Sequence, residues 1–217
     1  MATIGVIDYG MGNLHSLGKS LERVAGSDRV QISYDPEKLL RCDRLVLPGV
    51  GGVRACMNEL RRLELGELVA EQARKVPMLG ICLGMQVMLE FSHENQGVKG
   101  LGLFPGEVCK FPDPQTGNPD QPRLKVPHMG WNRVRQVRPH PVWDSVPDAS
   151  WFYFVHSYYA APAQDAHILG AAQHGQDFTA AVARDNIVAF QFHPEKSQEL
   201  GLQLLANFVA WDGVSGA

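Results

Sequence analysis

The sequence has no excess of positive charge and no long apolar run. Its 20 lysines and arginines face 23 aspartates and glutamates, which gives a net charge of −3 and a pI near 6.2. That balance gives no reason to expect binding to nucleic acid or to an acidic membrane. No apolar run approaches the roughly 20 residues that span a bilayer, and the N-terminus does not read as a signal peptide. We therefore expect a cytoplasmic protein.

Motifs for metals and cofactors are also missing. The cysteines, Cys42, Cys56, Cys82 and Cys109, show no Cys-x-x-Cys spacing, so neither a disulfide framework nor a zinc site is predicted. The eight histidines include no His-Glu-x-x-His arrangement. The turn at 10–13 has closely spaced glycines but lacks the third glycine of a dinucleotide fingerprint and the lysine of a phosphate-binding loop. No metal and no cofactor is expected.

Apolar runs alternate with helical patterns over the first ninety residues. Strand-like segments at 3–8, 30–33 and 44–47 are separated by helical stripes, the clearest of which is Leu14, Leu17, Leu21 and Val24. Strands that alternate with helices predict an α/β fold with a mostly parallel central sheet and helices on both faces.

The middle of the chain, from about residue 97 to 175, has a different pattern. It is rich in proline and glycine, and 111–119 reads as a loop, while Trp151–Val155 is the most convincing strand. We expect these segments to add antiparallel strands at one edge of the sheet. A final helix is indicated by Leu200, Leu204, Leu205 and Phe208. The length and the absence of repeats predict a single domain over 1–217.

The most informative segment is Gly80-Ile81-Cys82-Leu83-Gly84. It follows an apolar run at 76–79 and precedes a helical pattern at 85–89. A cysteine between two glycines at such a junction is the thiol counterpart of the G-x-S-x-G nucleophile elbow, in which small flanking residues permit a strained turn. The following helix would also present its positive dipole end to Cys82, which favours the thiolate. The pattern predicts a nucleophilic cysteine.

A second segment supplies a base. The apolar run 187–192 ends in His193-Pro194-Glu195, and residues two apart in an extended segment face the same side. Glu195 can then orient His193, which takes a proton from Cys82. Taken singly, a buried cysteine is usually a small hydrophobe, and a histidine at a strand end is usually on the surface or a satisfied part of the core. Together, both at strand ends where α/β sheets place their ligand crevices, they favour a Cys-His-Glu triad.

A glycine-rich loop, Pro48-Gly49-Val50-Gly51-Gly52, ends a strand that neighbours the elbow strand. Its glycines allow backbone amides to approach a ligand closely. One of these N–H groups, together with the N–H of Leu83, can form an oxyanion hole. A plain β-to-α turn remains the alternative reading of this loop.

Six separated segments resemble one family over nearly the full length. The elbow with its late His-Pro-Glu looks like a class I (triad) glutamine amidotransferase, whose fold is flavodoxin-like. The other segments narrow the resemblance to the glutaminase subunits of imidazole glycerol phosphate synthases, in histidine biosynthesis. These segments are 7–14, 47–51, 80–86, 125–132 (Lys-Val-Pro-His-Met-Gly-Trp-Asn), 154–159 and 191–197.

The resemblance implies a role for each matching residue. Cys82 forms a γ-glutamyl thioester and releases ammonia, His193 is the general base and acid, and Glu195 orients it. The residues that fall at the oxyanion region are Val50, Gly51 and Leu83. The residues implied to hold glutamine or to line its pocket are Gln86, Glu94, His156, Ser157 and Tyr158.

The resemblance also implies a partner. Ammonia would pass into a (β/α)₈-barrel cyclase subunit, forming a heterodimer that makes imidazole glycerol phosphate and aminoimidazole carboxamide ribotide. The residues implied at that interface and at the ammonia exit are Asn13, Trp131, Tyr153 and Lys196.

Three alternatives remain open at this point. The chain can be the glutaminase of another pathway, although the segment 125–132 favours histidine biosynthesis. A free-standing γ-glutamyl hydrolase uses a similar elbow but needs no interface residues such as Asn13 and Trp131. A catalytically silent scaffold has no chemical reason to keep Cys82, His193 and Glu195 together.

Overall fold

The computed structural model describes residues 2–26, 29–112 and 125–214. Within them, the helices are α1 (Leu14–Ala25), α2 (Pro36–Leu39), α3 (Val53–Arg62), α4 (Leu65–Gln72), α5 (Leu83–Val87) and α6 (Gln198–Ala210). The strands are β1 (Ile4–Ile7), β2 (Val30–Ser33), β3 (Arg44–Leu47), β4 (Met78–Ile81), β5 (Leu89–Ser92), β6 (Val98–Lys99), β7 (Phe104–Lys110), β8 (His128–Gln136), β9 (Ser150–His156), β10 (Tyr158–Pro162), β11 (Ile168–His174), β12 (Gln176–Arg184) and β13 (Ile187–Phe190).

Five parallel strands form one half of the sheet, in the order β2-β1-β3-β4-β13. All five are short, and all but the edge strand β2 are almost fully buried, as expected for strands covered on both faces. Beyond β13 the sheet continues through antiparallel pairings to β12, β10 and β7. The prediction of a parallel core with antiparallel strands added at one edge is confirmed.

Helices cover both faces of this sheet. The stripe of α1 packs with α6 in one apolar cluster, which includes Leu17, Leu21, Leu204 and Phe208. A second cluster, on the other face, contains the apolar sides of α3, α4 and α5. The core is therefore two layers of side chains, one on each side of the central strands. No helix of the described residues is long and apolar enough to cross a membrane.

The antiparallel part is larger than the sequence pattern indicated. A branch leaves β12 through β11 to β8 and β9, and β8 and β12 are each nine residues long. Along β8 only His128 and Val134 are buried, and the other seven positions are exposed or partly buried. Such a mixed pattern with an internal Gly130 gives a weak strand signal, because long-range pairing rather than local alternation stabilises it.

The helix after Cys82 is shorter than its pattern predicts. It ends at Val87, and Leu89 begins β5, which pairs in parallel with β7 opposite Phe104. The carbonyls of Val87 and Leu89 accept hydrogen bonds from Leu101 and Gly102, 2.7 Å and 3.2 Å long. This returning chain replaces the next helical turn. The predicted loop at 111–119 lies outside the described residues beyond Pro112.

Candidate active site

The backbone at Cys82 has the strain of a nucleophile elbow. Its φ of 54° and ψ of −108° lie outside the regions that a residue with a side chain normally adopts. Two glycines make the turn possible. A Cβ at Gly84 would lie 1.8 Å from the carbonyl oxygen of Leu47, and a Cβ at Gly80 would lie 2.9 Å from the Cβ of Ala189. The elbow therefore packs directly against the neighbouring strands.

Strand register brings the histidine segment beside the elbow. Strand β13 pairs in parallel with β4, with Phe190 opposite Ile81, and Cys82 donates from its N–H to the carbonyl oxygen of Phe190 over 2.7 Å. Because both strands end at the same level, the residues after Phe190 continue alongside Cys82. His193 follows three residues later and is buried.

His193 and Glu195 form a buried pair. Nδ1 of His193 lies 2.8 Å from Oε1 of Glu195, and their side chains are 2% and 4% exposed. A carboxylate accepts, so Nδ1 carries a proton and Nε2 is the nitrogen available to Cys82. Burial alone would lower the pKa of His193, but the interactions with Cys82 and Glu195 outweigh it and raise that pKa to about 9. The environment therefore favours the protonated imidazolium form of His193.

Hydrogen bonds hold the histidine segment to strand β9. The N–H of His193 donates to the carbonyl oxygen of Tyr153 over 2.9 Å. Ser197 accepts from the N–H of Tyr153 and donates to the carbonyl oxygen of His193, 3.0 Å and 2.7 Å long. The position of His193 is thus fixed by its own turn and by β9 together.

One cavity, of about 300 Å³, brings together all but one of the predicted catalytic, oxyanion and glutamine-binding residues. That volume is at the lower end of the range for small-molecule sites. Glu195 does not line it, since that carboxylate lies behind His193. The predicted residues that line the cavity are Val50, Gly51, Cys82, Leu83, Gln86, Glu94, His156, Ser157, Tyr158 and His193.

The glycine-rich loop lies on the cavity wall between two fixed ends. At its start, the buried hydroxyl of Tyr9 donates to the carbonyl oxygen of Pro48 over 2.7 Å. At its end, the N–H of Val53 donates to Oε2 of Glu94 over 2.6 Å. Between them, Gly51 has a φ of +94°, a conformation that suits glycine. Leu83 begins α5, so its N–H lacks an intrahelical acceptor.

The two predicted glutamine-holding residues have different surroundings. The amide nitrogen of Gln86 donates to the carbonyl oxygen of Tyr158 and to Oε1 of Gln191, over 2.8 Å and 3.0 Å. The amide nitrogen of Gln86 therefore donates both of its hydrogens to other residues of the protein. Glu94 is only partly buried. Its side chain lines the cavity, and its carboxylate accepts a hydrogen bond from the N–H of Val53 at the start of α3. A carboxylate at this position can bind a substrate ammonium group.

His156 forms part of the wall through a chain of histidines. Its Nδ1 lies 2.8 Å from the carbonyl oxygen of Tyr158, and its Nε2 lies 2.9 Å from Nδ1 of His128. Since a carbonyl only accepts, His156 donates from Nδ1 and accepts at Nε2. Burial lowers the pKa of His156 to about 3 and that of His128 to about 4. Both rings are neutral and both nitrogens of His156 are occupied, so it positions the segment 156–158.

Sequence reasoning missed three residues of this neighbourhood: Tyr9, His128 and Gln191. Tyr9 and His128 lie in segments that carried the family resemblance, but nothing in their spacing indicates contact with the site. Gln191 is a fully buried amide directly after an apolar strand and two residues before His193. A polar residue at that point is a signal, because a buried amide needs partners.

Three of the four predicted interface residues lie together. Trp131 and Tyr153 lie opposite each other on β8 and β9 with their rings 6.1 Å apart, edge to face. Nζ of Lys196 lies 5.8 Å from the centre of the Tyr153 ring. Asn13 is the residue before α1, where its Oδ1 accepts from the N–H of Ser16 over 3.4 Å.

One group of potential metal ligands exists among the described residues. The ligand atoms of His93, Glu107 and Cys109 lie within 4.8 Å of one another. Strand register explains this, since β5 runs beside β7. His93 and Glu107 are more than half exposed and pair with each other at 2.7 Å. The hydrogen bond between His93 and Glu107 accounts for the proximity of these two side chains.

Comparisons with known proteins agree on one family. The sequence model of the family described as "Glutamine amidotransferase class-I" matches residues 5–211. A relative from Nitrosococcus oceani, named "Imidazole glycerol phosphate synthase subunit HisH", is 52% identical over 215 residues, covering 99% of this chain and 100% of the relative. A HisH subunit from Pseudomonas aeruginosa is 53% identical over 215 residues, covering 98% and 99%.

The fold also matches solved structures. A chain in the structure of PurLQS from Thermotoga maritima superposes with a TM-score of 0.69 at 16% identity, covering 97% of this chain and 99% of that one. At such low identity the likeness concerns the fold alone.

Proposed function

The chain belongs to the class-I glutamine amidotransferases and, within them, to the HisH subunits of imidazole glycerol phosphate synthase, and from this premise we propose that it hydrolyses glutamine through Cys82 and passes the ammonia to a cyclase subunit. Its place is therefore in histidine biosynthesis. The observation that carries the proposed chemistry is the strained Cys82 elbow sharing one cavity with the buried His193–Glu195 pair.

The first half of the reaction forms a thioester. The thiolate of Cys82 attacks the carboxamide carbon of glutamine, and the carbonyl electrons move to oxygen. The C–N bond then breaks as His193 gives its Nε2 proton to the departing nitrogen, which leaves as ammonia. Glu195 keeps His193 in the tautomer and orientation that this transfer requires.

The second half regenerates the thiolate. Neutral His193 takes a proton from water, the resulting hydroxide attacks the thioester carbon, and the C–S bond breaks to give glutamate and the Cys82 thiolate. The proton on His193 restores the starting imidazolium. The net reaction converts glutamine and water into glutamate and ammonia.

The oxyanion of both tetrahedral intermediates needs hydrogen-bond donors. The N–H of Leu83 is the first orphan amide of α5, and the loop residues Val50 and Gly51 line the same cavity. We assign the second donor to this loop. Movement of the Val50–Gly51 peptide, confined between Pro48 and Val53, would supply the N–H only in the active state and so prevent waste of glutamine.

Substrate recognition follows from the charges on the cavity wall. The carboxylate of Glu94 is suited to the α-ammonium group of glutamine, and Gln86 with the segment 156–158 shapes the opposite wall. In this arrangement the carboxamide end of the substrate lies toward Cys82. No cofactor enters any step.

The partner would dock on the outer face of β8 and β9. Exposed apolar side chains are concentrated there, with Met129 62%, Trp131 43% and Trp151 49% exposed. Such a cluster on a small protein is typical of an interaction surface. The carbonyl oxygen of Tyr153 accepts a hydrogen bond from the N–H of His193. Binding of the partner to this face would therefore act on the position of the catalytic base through one hydrogen bond.

The test is release of glutamate from glutamine by the chain alone and with the cyclase subunit and its nucleotide substrate. We expect strong activity only in the complete mixture. Cys82→Ala should abolish it while the complex still uses added ammonia. Activity that persists in Cys82→Ala would overturn the thioester, and full activity without the partner would indicate an independent hydrolase.

A further inference from the structure

Gln191 is a fully buried amide that reaches the nucleophile. Its Nε2 lies 3.8 Å from Sγ of Cys82, and its side chain has no exposure to solvent. The register that pairs Phe190 with Ile81 makes Gln191 the neighbour of Cys82 across the two strand ends. Its N–H donates back to the carbonyl oxygen of Ala180 over 2.8 Å, which fixes the backbone at this point.

The orientation of the Gln191 amide follows from its partners. The carbonyl oxygen of Tyr158 can only accept, so the atom of Gln86 that lies 2.8 Å from it is the amide nitrogen. That same nitrogen lies 3.0 Å from the Gln191 side chain, which must therefore present its oxygen to Gln86. The nitrogen of Gln191 is left facing Cys82.

We propose that Gln191 is a further catalytic residue, whose amide donates a hydrogen bond to Sγ of Cys82 and stabilises the attacking thiolate. An amide N–H donates and does not accept, so it favours S⁻ over S–H. The competing neighbour is the carbonyl oxygen of Val155, 4.0 Å from Sγ, which favours the protonated thiol. Gln191 is the closer of the two and acts in the same direction as His193.

Hydrogen bonds connect the cavity wall to the nucleophile. Tyr158, Gln86 and Gln191 make a continuous chain of hydrogen bonds from the glutamine pocket to Sγ. Gln191 itself is not among the cavity-lining residues. It therefore acts on the reacting sulfur and not on substrate binding, so its loss should lower kcat and leave KM within about twofold.

The test measures the rate at which iodoacetamide alkylates Cys82 at pH 7, by mass spectrometry of the chain alone. Cys109, which is partly exposed, is the reference within each sample. Gln191→Met keeps the length and removes the donor, and we expect Cys82 alkylation to slow about tenfold because a hydrogen bond to a charged group is lost. Gln203→Met, on α6, removes an amide that bonds Asn207 and does not line the cavity, and it should leave the rate unchanged.

Gln191→Glu is the second variant. It preserves the shape and an oxygen toward Gln86 but replaces the donor that faces Sγ, so it should slow alkylation at least as much. Slowing in both variants supports the assignment. A rate within twofold of wild type, in either variant with a wild-type unfolding temperature, overturns it.

The assignment rests on the proposed role of Cys82, and the two can fail separately. If Cys82 is not the nucleophile, it will alkylate no faster than Cys109 in the wild-type protein. If only the role of Gln191 is wrong, wild-type Cys82 will be fast and the variants equally fast.

Discussion

The hydroxyl of Tyr9 donates to the carbonyl oxygen of Pro48 over 2.7 Å, so the end of the first strand holds the start of the glycine-rich loop. The contact also accounts for Gly49. A Cβ at that position would lie 2.3 Å from the Tyr9 hydroxyl and 2.9 Å from the Cβ of Leu83. Burial raises the pKa of Tyr9 far above its ordinary value, and the phenol remains a donor at any working pH.

Tyr9→Phe should destabilise the protein by about 1–3 kcal/mol, because the carbonyl of Pro48 is left buried without its donor. In a chain of this size that corresponds to a fall in the unfolding temperature of a few degrees per kcal/mol. Thermal unfolding measures it. Tyr34→Phe, at a side chain that is 65% exposed, is the matched control. An unchanged unfolding temperature in Tyr9→Phe would show that water replaces the lost donor.

Gly84→Ala should remove glutaminase activity. The added Cβ would meet the carbonyl oxygen of Leu47 at 1.8 Å, so the elbow must move, and a displacement of about 1 Å can cost on the order of 100-fold in rate. Activity is measured in the complex with the cyclase.

The control for that substitution is Gly66→Ala in α4, where the nearest atom to the added Cβ is 3.8 Å away. It should stabilise the protein by about 0.5–1 kcal/mol, since alanine replaces glycine inside a helix. If Gly84→Ala keeps wild-type activity, the close packing of the elbow is not required for catalysis.

Glu195→Gln should change the pH dependence of glutaminase activity. The pKa of His193 is raised from 6.5 to about 9, so the imidazolium that protonates the leaving nitrogen is lost only as the pH rises through about 9. Removing the Glu195 charge takes away part of that increase. The alkaline limb of the profile should then move down by about one pH unit or more.

The same shift has a consequence for stability. Because the folded-state pKa of His193 is higher than the unfolded one, its protonation stabilises the fold fully below pH 6.5 and loses that effect as the pH rises through about 9.

Glu199→Gln, which changes an exposed carboxylate on α6, should leave both the profile and the stability unchanged. An identical alkaline limb in Glu195→Gln would remove Glu195 from the mechanism.

Trp131→Ala should weaken binding of the cyclase subunit. The ring packs edge to face on Tyr153 at the centre of the exposed apolar face, and loss of a central aromatic side chain at an interface typically costs at least about 2 kcal/mol. Titration calorimetry with the cyclase subunit gives the dissociation constant. Leu40→Ala, at a 48% exposed side chain before the N-terminal end of β3, should bind normally. Equal affinity in Trp131→Ala would place the partner elsewhere.

Local sequence determined the parallel half of the fold and the elbow. The sequence alone predicts these strands and helices, because apolar runs and helical periodicity are properties of neighbouring residues. The clearest helical stripe is Leu14, Leu17 and Leu21. The glycines around Cys82 likewise indicate a strained turn without reference to any distant residue. The segments 80–86 and 191–197 were enough to indicate a nucleophile and its base.

Only the tertiary structure decided what surrounds them. The end of α5 at Val87 depends on β7 returning beside Leu89, and the place of Gln191 next to Cys82 depends on the register between β4 and β13. Tyr9 reaches Pro48 across 39 residues of sequence. A pattern of residue types reports whether a side chain is buried or exposed, but the partner of a buried polar group is set by which strands pair and in which register.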